Sequence, residues 1–295
     1  MSNKAPTLRQ FQDRFPTEDA CLDHLFQVRY GTDFACPGCD RPAKFTRVKA
    51  RRSYQCQWCA YQVYPTAGTP FDRTRTPLRD WFFVMFQFCA SRNGVAAKEV
   101  ERQLGVTYKT AWRMCHMIRE YMGAVDGSAP IGGLGRTVQV DETFIGGYQS
   151  AKDKRDAGAS NKTVVFGMLE HGGDLVTHVV PDRKSGTLLP IIRATVKRPS
   201  KVHTDDWLGY GGVGTMGYQH ATVNHSLDQY VCRKTGATVN AIEGFWAQLK
   251  RGINGTHIHV SGRHLPKYLG EFEYRWNMRQ TPHLMLDRLM FSFAR

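Results

Sequence analysis

Two cysteine pairs, "CPGC" (Cys36, Cys39) and "CQWC" (Cys56, Cys59), stand sixteen residues apart. Knuckles at this spacing present four thiolates to one ion at tetrahedral geometry, which is the ligand set of structural zinc. All four positions are then protein ligands, so no site is left for a reactive water, and the metal serves to fold a short segment. Between the knuckles, Lys44, Arg47, Lys49, Arg51 and Arg52 are interleaved with Phe45 and Tyr54, a basic hairpin suited to lie along a phosphate backbone. A second chemistry rests on three acids far apart in the chain. Asp141 interrupts the apolar alternation of "VQVDETF", Asp205 follows the β run of "VHTDDWLGY", and Glu243 sits among apolar residues in "NAIEGFWAQLKRG". Taken singly, each reads as a surface acid. Together, two strand-end aspartates and a helical glutamate can hold two Mg2+ ions about one phosphate, one to activate a water or 3′-hydroxyl and one to stabilise the leaving oxygen. On a helix, Asn240, Glu243 and Lys250 share a face at i−3, i and i+7. Lys250, helped by Arg251, is then placed to touch a phosphate beside the metals; the plainer reading of both is a solvated helix end.

The elements that must position these residues are legible as changes of texture. Residues 8 to 30 read as helix, broken at Pro16 and restarted by a Thr17 cap. The cysteine-rich stretch follows, and from Pro77 to Met122 the apolar spacing is helical. Within it, "NGVAAKEVERQLGVTYKTAWRMCHMIREYM" predicts two helices about a tight turn. Val95 to Leu104 forms the first, Gly105 makes the turn, Thr107 caps the second, and Ala111, Met114, Cys115 and Ile118 form its buried stripe. This is a helix-turn-helix pattern, with Tyr108, Lys109, Thr110 and Arg113 where a recognition helix reaches bases. "DGSAPIGGLG", Asp126 to Gly135, reads as a linker. Beyond it, "TVQVDETF", "KTVVFGMLE", "LVTHVVP" and "SKVHTDDW" read as strands, and Val239 to Leu249 and Leu265 to Arg279 as helices. The resulting division is a helix with a small β zinc ribbon over 1–70, a helical region over 71–125, a linker over 126–135, and an α/β or α+β domain over 136–295.

Composition bounds the partners. The 295 residues carry a formal net charge of +14, and a surface this basic concentrates polyanions, nucleic acid above all. The most apolar run, Trp81 to Ala90, has about half the length that crosses a bilayer and predicts a buried helix. The polar N-terminus has no apolar signal core, which points to a cytoplasmic protein without a membrane segment. Of the eight cysteines, Cys21, Cys89, Cys115 and Cys232 are scattered and read as reduced core residues rather than a disulfide framework.

The order "CPGC…CQWC", "YPTAGTPFDRTRTPLRDWF", "YKTAW", "VDETFIGG", "HTDDWLGY" and "NAIEGFWAQLKRGINGTHIHVSGRHLPKYLGEFEYRWNMR" resembles the bacterial insertion-sequence transposases that join an N-terminal zinc ribbon to a DDE catalytic domain of the ISXO type. The resemblance runs from about Phe15 to about Arg279. It implies an RNase H-like catalytic domain, a mixed central sheet flanked by helices, that uses Mg2+ (or Mn2+) to cut transposon ends and transfer strands. By motif, Asp141 is the first acid, and Asp205 the second in preference to Asp206. The third position holds Glu or Asn in such proteins, with a Lys downstream; here Glu243 is assigned as ligand, with Asn240 and Lys250 assisting. The implied partners are double-stranded DNA, both terminal inverted repeats and target, and a second copy of the chain, since two ends are handled together. The implied location is the nucleoid of a bacterial cytoplasm. Two other classes fit part of the pattern. A non-catalytic DNA-binding regulator derived from a transposase has no need of the three acids. A resolvase or ribonuclease of the same fold has no need of the two N-terminal binding modules.

Overall fold

Thr7 and Thr17 start the first two helices. Each side chain accepts from a backbone N–H three residues on, Gln10 at 3.3 Å and Ala20 at 3.1 Å, opening α1 (Leu8–Arg14) and α2 (Glu18–Tyr30) on either side of Pro16. The structure, a computed structural model, describes residues 4–126, 129–146, 162–223, 231–233 and 235–294. The chain divides into one unit of Met1–Ser91, Ala97–Tyr121 and Gln280–Arg295 and another of Arg92–Ala96 and Met122–Arg279.

In the first unit, β1 (Phe45–Val48), β2 (Ser53–Cys56) and β3 (Gln62–Val63) form an antiparallel ribbon in that order. Glu18 joins the ribbon to the helices. Its carboxylate pairs with Arg52 at 2.8 Å and accepts from the Leu78 and Arg79 N–H groups at 3.0 and 3.1 Å, where α3 (Leu78–Ala90) begins. Trp81, Phe82, Val84, Met85 and Phe88 of α3 are buried, as the apolar run predicts. Next come α4 (Ala97–Leu104) and α5 (Tyr108–Asp126). Between them Gly105 takes a φ of 65°, and Thr107 Oγ1 accepts from the Thr110 N–H at 3.3 Å. Ala111, Met114, Cys115 and Ile118 are all buried. The first helix starts at Ala97 rather than Val95. Residues 280–295, read from sequence as part of the last domain, belong to this unit. Their helix α9 (Met285–Phe293) sets Phe293 against Phe71, ring centroids 5.5 Å apart, and against Tyr121 at 4.0 Å. Cys21, Cys89 and Cys115 are buried as expected.

The second unit contains β4 (Ile131–Gly132), β5 (Thr137–Ile145), β6 (Thr163–Glu170), β7 (Leu175–Val180), α6 (Ser185–Thr195), β8 (Val196–Lys197), β9 (Lys201–Asp205), β10 (Gln219–Val223), α7 (Asn240–Gly252) and α8 (Leu265–Asn277). Five strands form a mixed sheet in the order β10-β9-β5-β6-β7. β10, β9 and β5 run parallel, β6 runs antiparallel to β5, and β7 antiparallel to β6. Alternation along β5 sends Val138 and Val140 into a core with Leu188 and Ile192 of α6. Ile145 points instead into a core with Ile242, Phe245 and Leu249 of α7 and Phe272 of α8. The stretch read as a linker is partly built in. α5 extends to Asp126, and Ile131 pairs with Val196. The Gly132 N–H donates to Glu170 at 2.8 Å, and a Cβ on Gly132, whose φ is 80°, would meet Ser200 Oγ at 2.5 Å. Cys232 is only half-buried, so it is not the core residue its type suggested.

The outer edge of β7 is closed by α8. Asn277 accepts from the Leu175 N–H at 2.7 Å and donates to the Leu175 carbonyl at 2.9 Å. Glu273 accepts from the Thr177 N–H at 2.9 Å and hydroxyl at 2.6 Å. Side chains thus take the place of a further strand. Among the described residues, no helix is long and apolar enough to cross a membrane.

Candidate active site and metal centre

The register of β5 and β9 pairs Gln139 with His203. Two residues further along each strand come Asp141 and Asp205, on the same face by the period of the strand. Asp205 ends β9, and Asp141 lies mid-way along β5, just beyond its parallel pairing with β9, where α/β sheets open into crevices. Asp141 Oδ2 accepts from the indole Nε1 of Trp246 at 3.0 Å, and Asp205 Oδ1 accepts from the Trp207 N–H at 3.1 Å. Burial pushes the Asp141 carboxyl up to about 7, and the charges of Glu142 and Asp205 push the same way, against the Trp246 bond.

Helix α7 is pinned over this face by Gln139. Its buried amide oxygen accepts from the Ala241 and Ile242 N–H groups at 3.0 and 3.1 Å, which satisfies two of the open donors at the helix start. Glu243 follows in the first turn, half-buried, one turn before Trp246. Asn240 is exposed at the start of α7, and Lys250 and Arg251 are exposed at its end. Gly167 is the cross-strand partner of Asp141, and a Cβ there would sit 2.6 Å from the Trp246 ring. The missing side chain is what lets the indole reach the carboxylate. On the opposite face of β5, the buried Glu142 bonds the Tyr210 hydroxyl and lies 3.5 Å from Arg183 Nη1. Burial raises the Tyr210 hydroxyl above its ordinary range, and Glu142 adds to the effect.

The four ribbon thiols are gathered more tightly. Their sulfurs lie within 4.8 Å of one another, the one such set of three or more metal-type ligands among the described residues; the three acids are not drawn together in that way. The Gly38 and Trp58 N–H groups each point at a sulfur, of Cys36 and Cys56, at 3.4 Å. Asp40 and Ala60, each one residue past the second cysteine of a knuckle, take φ of 55° and 59°. Two like knuckles facing one point, with N–H groups aimed at sulfur, fit a tetrahedral zinc.

Residues 133–277, which hold the three acids, match the ISXO2-like transposase domain, and residues 16–62, which hold the four cysteines, match the transposase zinc-ribbon domain. An uncharacterised transposase-like protein of Haemophilus influenzae is 36% identical over 104 residues, 34% of this chain and 79% of that one. The chain belongs to this transposase family. An uncharacterised protein in transposable element ISH50 of Halobacterium salinarum is 24% identical over 285 residues, 91% of this chain and 94% of that one. No solved structure matches the chain.

In this transposase-family chain the basic residues between the knuckles divide into two groups. Arg47 pairs with Asp19 at 3.0 Å and donates to the Val48 and Arg51 carbonyls. Arg52 pairs with Glu18 and donates to the Thr74 carbonyl at 3.2 Å. Both tie the ribbon to its own unit, a role that the reading of a uniformly phosphate-facing hairpin missed. Lys44, Lys49 and Arg51 are exposed. On α5, Tyr108, Lys109 and Arg113 are exposed, and the half-buried Thr110 sets its hydroxyl 3.0 Å from that of Thr107. Sequence reasoning also missed Gln139, Glu142, Tyr210 and the indole bond from Trp246 to Asp141. The one available signal was Gly167, a glycine inside a strand run, which marks close approach by another group.

Proposed function

We propose that this protein is a DNA transposase that binds the ends of its insertion sequence and catalyses Mg2+-dependent strand cleavage and strand transfer on an RNase H-like unit. The observation that carries the reading is the placement of Asp141 and Asp205 on the same face of adjacent parallel strands, beneath the helix that bears Glu243. The mixed sheet with helices on both faces supports the fold assignment. Two mutually repelling carboxylates with hard oxygen donors fit a hard divalent cation. Asp141, Asp205 and Glu243 would hold Mg2+ (or Mn2+), which when bound stabilises negative charge on the scissile phosphate and its attacking and leaving oxygens. Trp246 fixes the orientation of Asp141 by its indole bond. Asn240 flanks Glu243 at the helix start, and Lys250 and Arg251 meet a neighbouring phosphate.

End recognition falls to the first unit. Helices α4 and α5 act as a helix-turn-helix in which Tyr108, Lys109, Thr110 and Arg113 meet bases. The zinc-held ribbon adds phosphate contacts through Lys44, Lys49 and Arg51. Handling two ends and a target calls for a dimer or larger assembly on DNA, working on the nucleoid in the bacterial cytoplasm.

The test is incubation of purified protein with duplex DNA spanning the element's boundaries in Mg2+, mapping the cut bonds. Cuts at the boundary are expected. Asp141→Asn should abolish them while end binding persists, and a variant that still cuts would overturn the assignment.

A further inference from the structure

Just past the end of β9, and reaching the face of β5 opposite Asp141, lies a group of side chains that the proposed chemistry does not use. Trp207 is 37% exposed and Phe144 41% exposed, large rings left facing water. Between them stands Arg183, its guanidinium carbon 4.0 Å from the centre of the Trp207 ring and 5.7 Å from that of Phe144. The arrangement is fixed rather than incidental. Trp207 Nε1 donates to the Arg183 carbonyl at 3.3 Å, and Arg183 Nη1 lies 3.5 Å from the buried Glu142 carboxylate. Gly209 makes room, since a Cβ there would meet Trp207 Nε1 at 2.6 Å and the Arg183 carbonyl at 3.0 Å. The Trp207 N–H is itself bound to Asp205 Oδ1 at 3.1 Å, so the group is anchored to a carboxylate of the active site.

We propose that Trp207, Arg183 and Phe144 form a stacking site for an unpaired nucleobase of the DNA being cut or joined. Bases in a duplex show only their edges, whereas an unpaired base offers a π face that stacks on aromatic rings and guanidinium groups. The Arg183 guanidinium, held by Glu142, offers a flat stacking surface beside the Trp207 ring, and the Trp207 N–H bond to Asp205 ties the site to the strand end that carries that carboxylate. The site favours single-stranded character at the reacting position and is indifferent to base identity. The inference rests on the transposase reading.

The test uses the full chain in Mg2+ and two duplexes of one arbitrary sequence, one blunt and one with a short single-stranded overhang carrying 2-aminopurine. Binding is followed by anisotropy and stacking by quenching of the 2-aminopurine. Wild-type protein should bind the overhang duplex more tightly and quench its probe. Trp207→Ala should lose the quenching and weaken overhang binding about tenfold, the size of one lost base–aromatic stack. Its blunt-duplex affinity and melting temperature should stay unchanged, Phe144→Ala should show a smaller loss, and Trp207→Phe should restore part of the quenching. Undiminished quenching in Trp207→Ala, or equal loss on both duplexes, would overturn the stacking site and leave the transposase reading standing. Failure of the wild-type chain to bind either duplex would overturn both.

Discussion

Trp246 and Gly167 act as one unit around Asp141. The indole fills the space above the glycine and spends its single donor on the carboxylate, which also accepts from the Glu142 N–H. Gly167→Ala forces a methyl into the ring and should destabilise the fold by about 1–3 kcal/mol, read from urea denaturation. Trp246→Phe keeps an aromatic filler and removes only the donor. It should leave the melting temperature nearly unchanged while lowering Mn2+ affinity by about tenfold in calorimetry, the scale of a lost outer-shell partner. Unchanged affinity would mean that the indole packs without orienting the acid. That Asp141 and Asp205 stand on strands and Glu243 on a helix was legible in the sequence, because the local periods there are strong. Their supports were not. Trp246 and Asp141 are 105 residues apart, and Gln139 reaches helix starts 102 and 103 residues away. No local period records such contacts.

Elements answer to different levers. The ribbon depends on its metal, so purified protein should carry about one zinc per chain, and chelation should unfold residues 36–59 with loss of near-ultraviolet signal. A metal-free ribbon that stays folded would contradict this. The seal between α8 and β7 depends on protonation. Burial pushes Glu273 up to about 8 from an ordinary 4.5, against the pull of the two Thr177 hydrogen bonds. The folded chain therefore retains a proton that the unfolded chain releases, and stability falls as pH rises from about 4.5 to about 8. Glu273→Gln has no such charge to bury, so its melting temperature should decline less than that of wild type between those values. Strands and helices with strong periods were read with bounds close to those observed. The Gly- and Pro-rich stretch was read as a tether because composition cannot distinguish a free linker from a turn held by Glu170 and Ser200. The basic hairpin was read as uniformly DNA-facing because spacing does not reveal that Asp19 and Glu18 lie across from Arg47 and Arg52.

For the whole molecule, the charge of +14 bears on the proposed DNA binding, whose strength would come from displaced counterions. Affinity for end DNA should fall steeply and linearly with salt on logarithmic axes. Replacing Lys44, Lys49 and Arg51 by Ala should flatten that slope by about one unit for each phosphate no longer neutralised. Net charge, the zinc ribbon and the family were all visible in the chain. The return of residues 280–295 to the first unit was not, because α9 carries an ordinary amphipathic pattern that fits either core.

That return has a consequence for how the protein is made. During synthesis, the N-terminal ribbon and helices leave the ribosome well before α9, yet Phe71 and Tyr121 keep their packing partner only when Phe293 arrives. The first unit closes after the second has been translated. A nascent or truncated chain that stops short of residue 280 therefore presents an incomplete first unit.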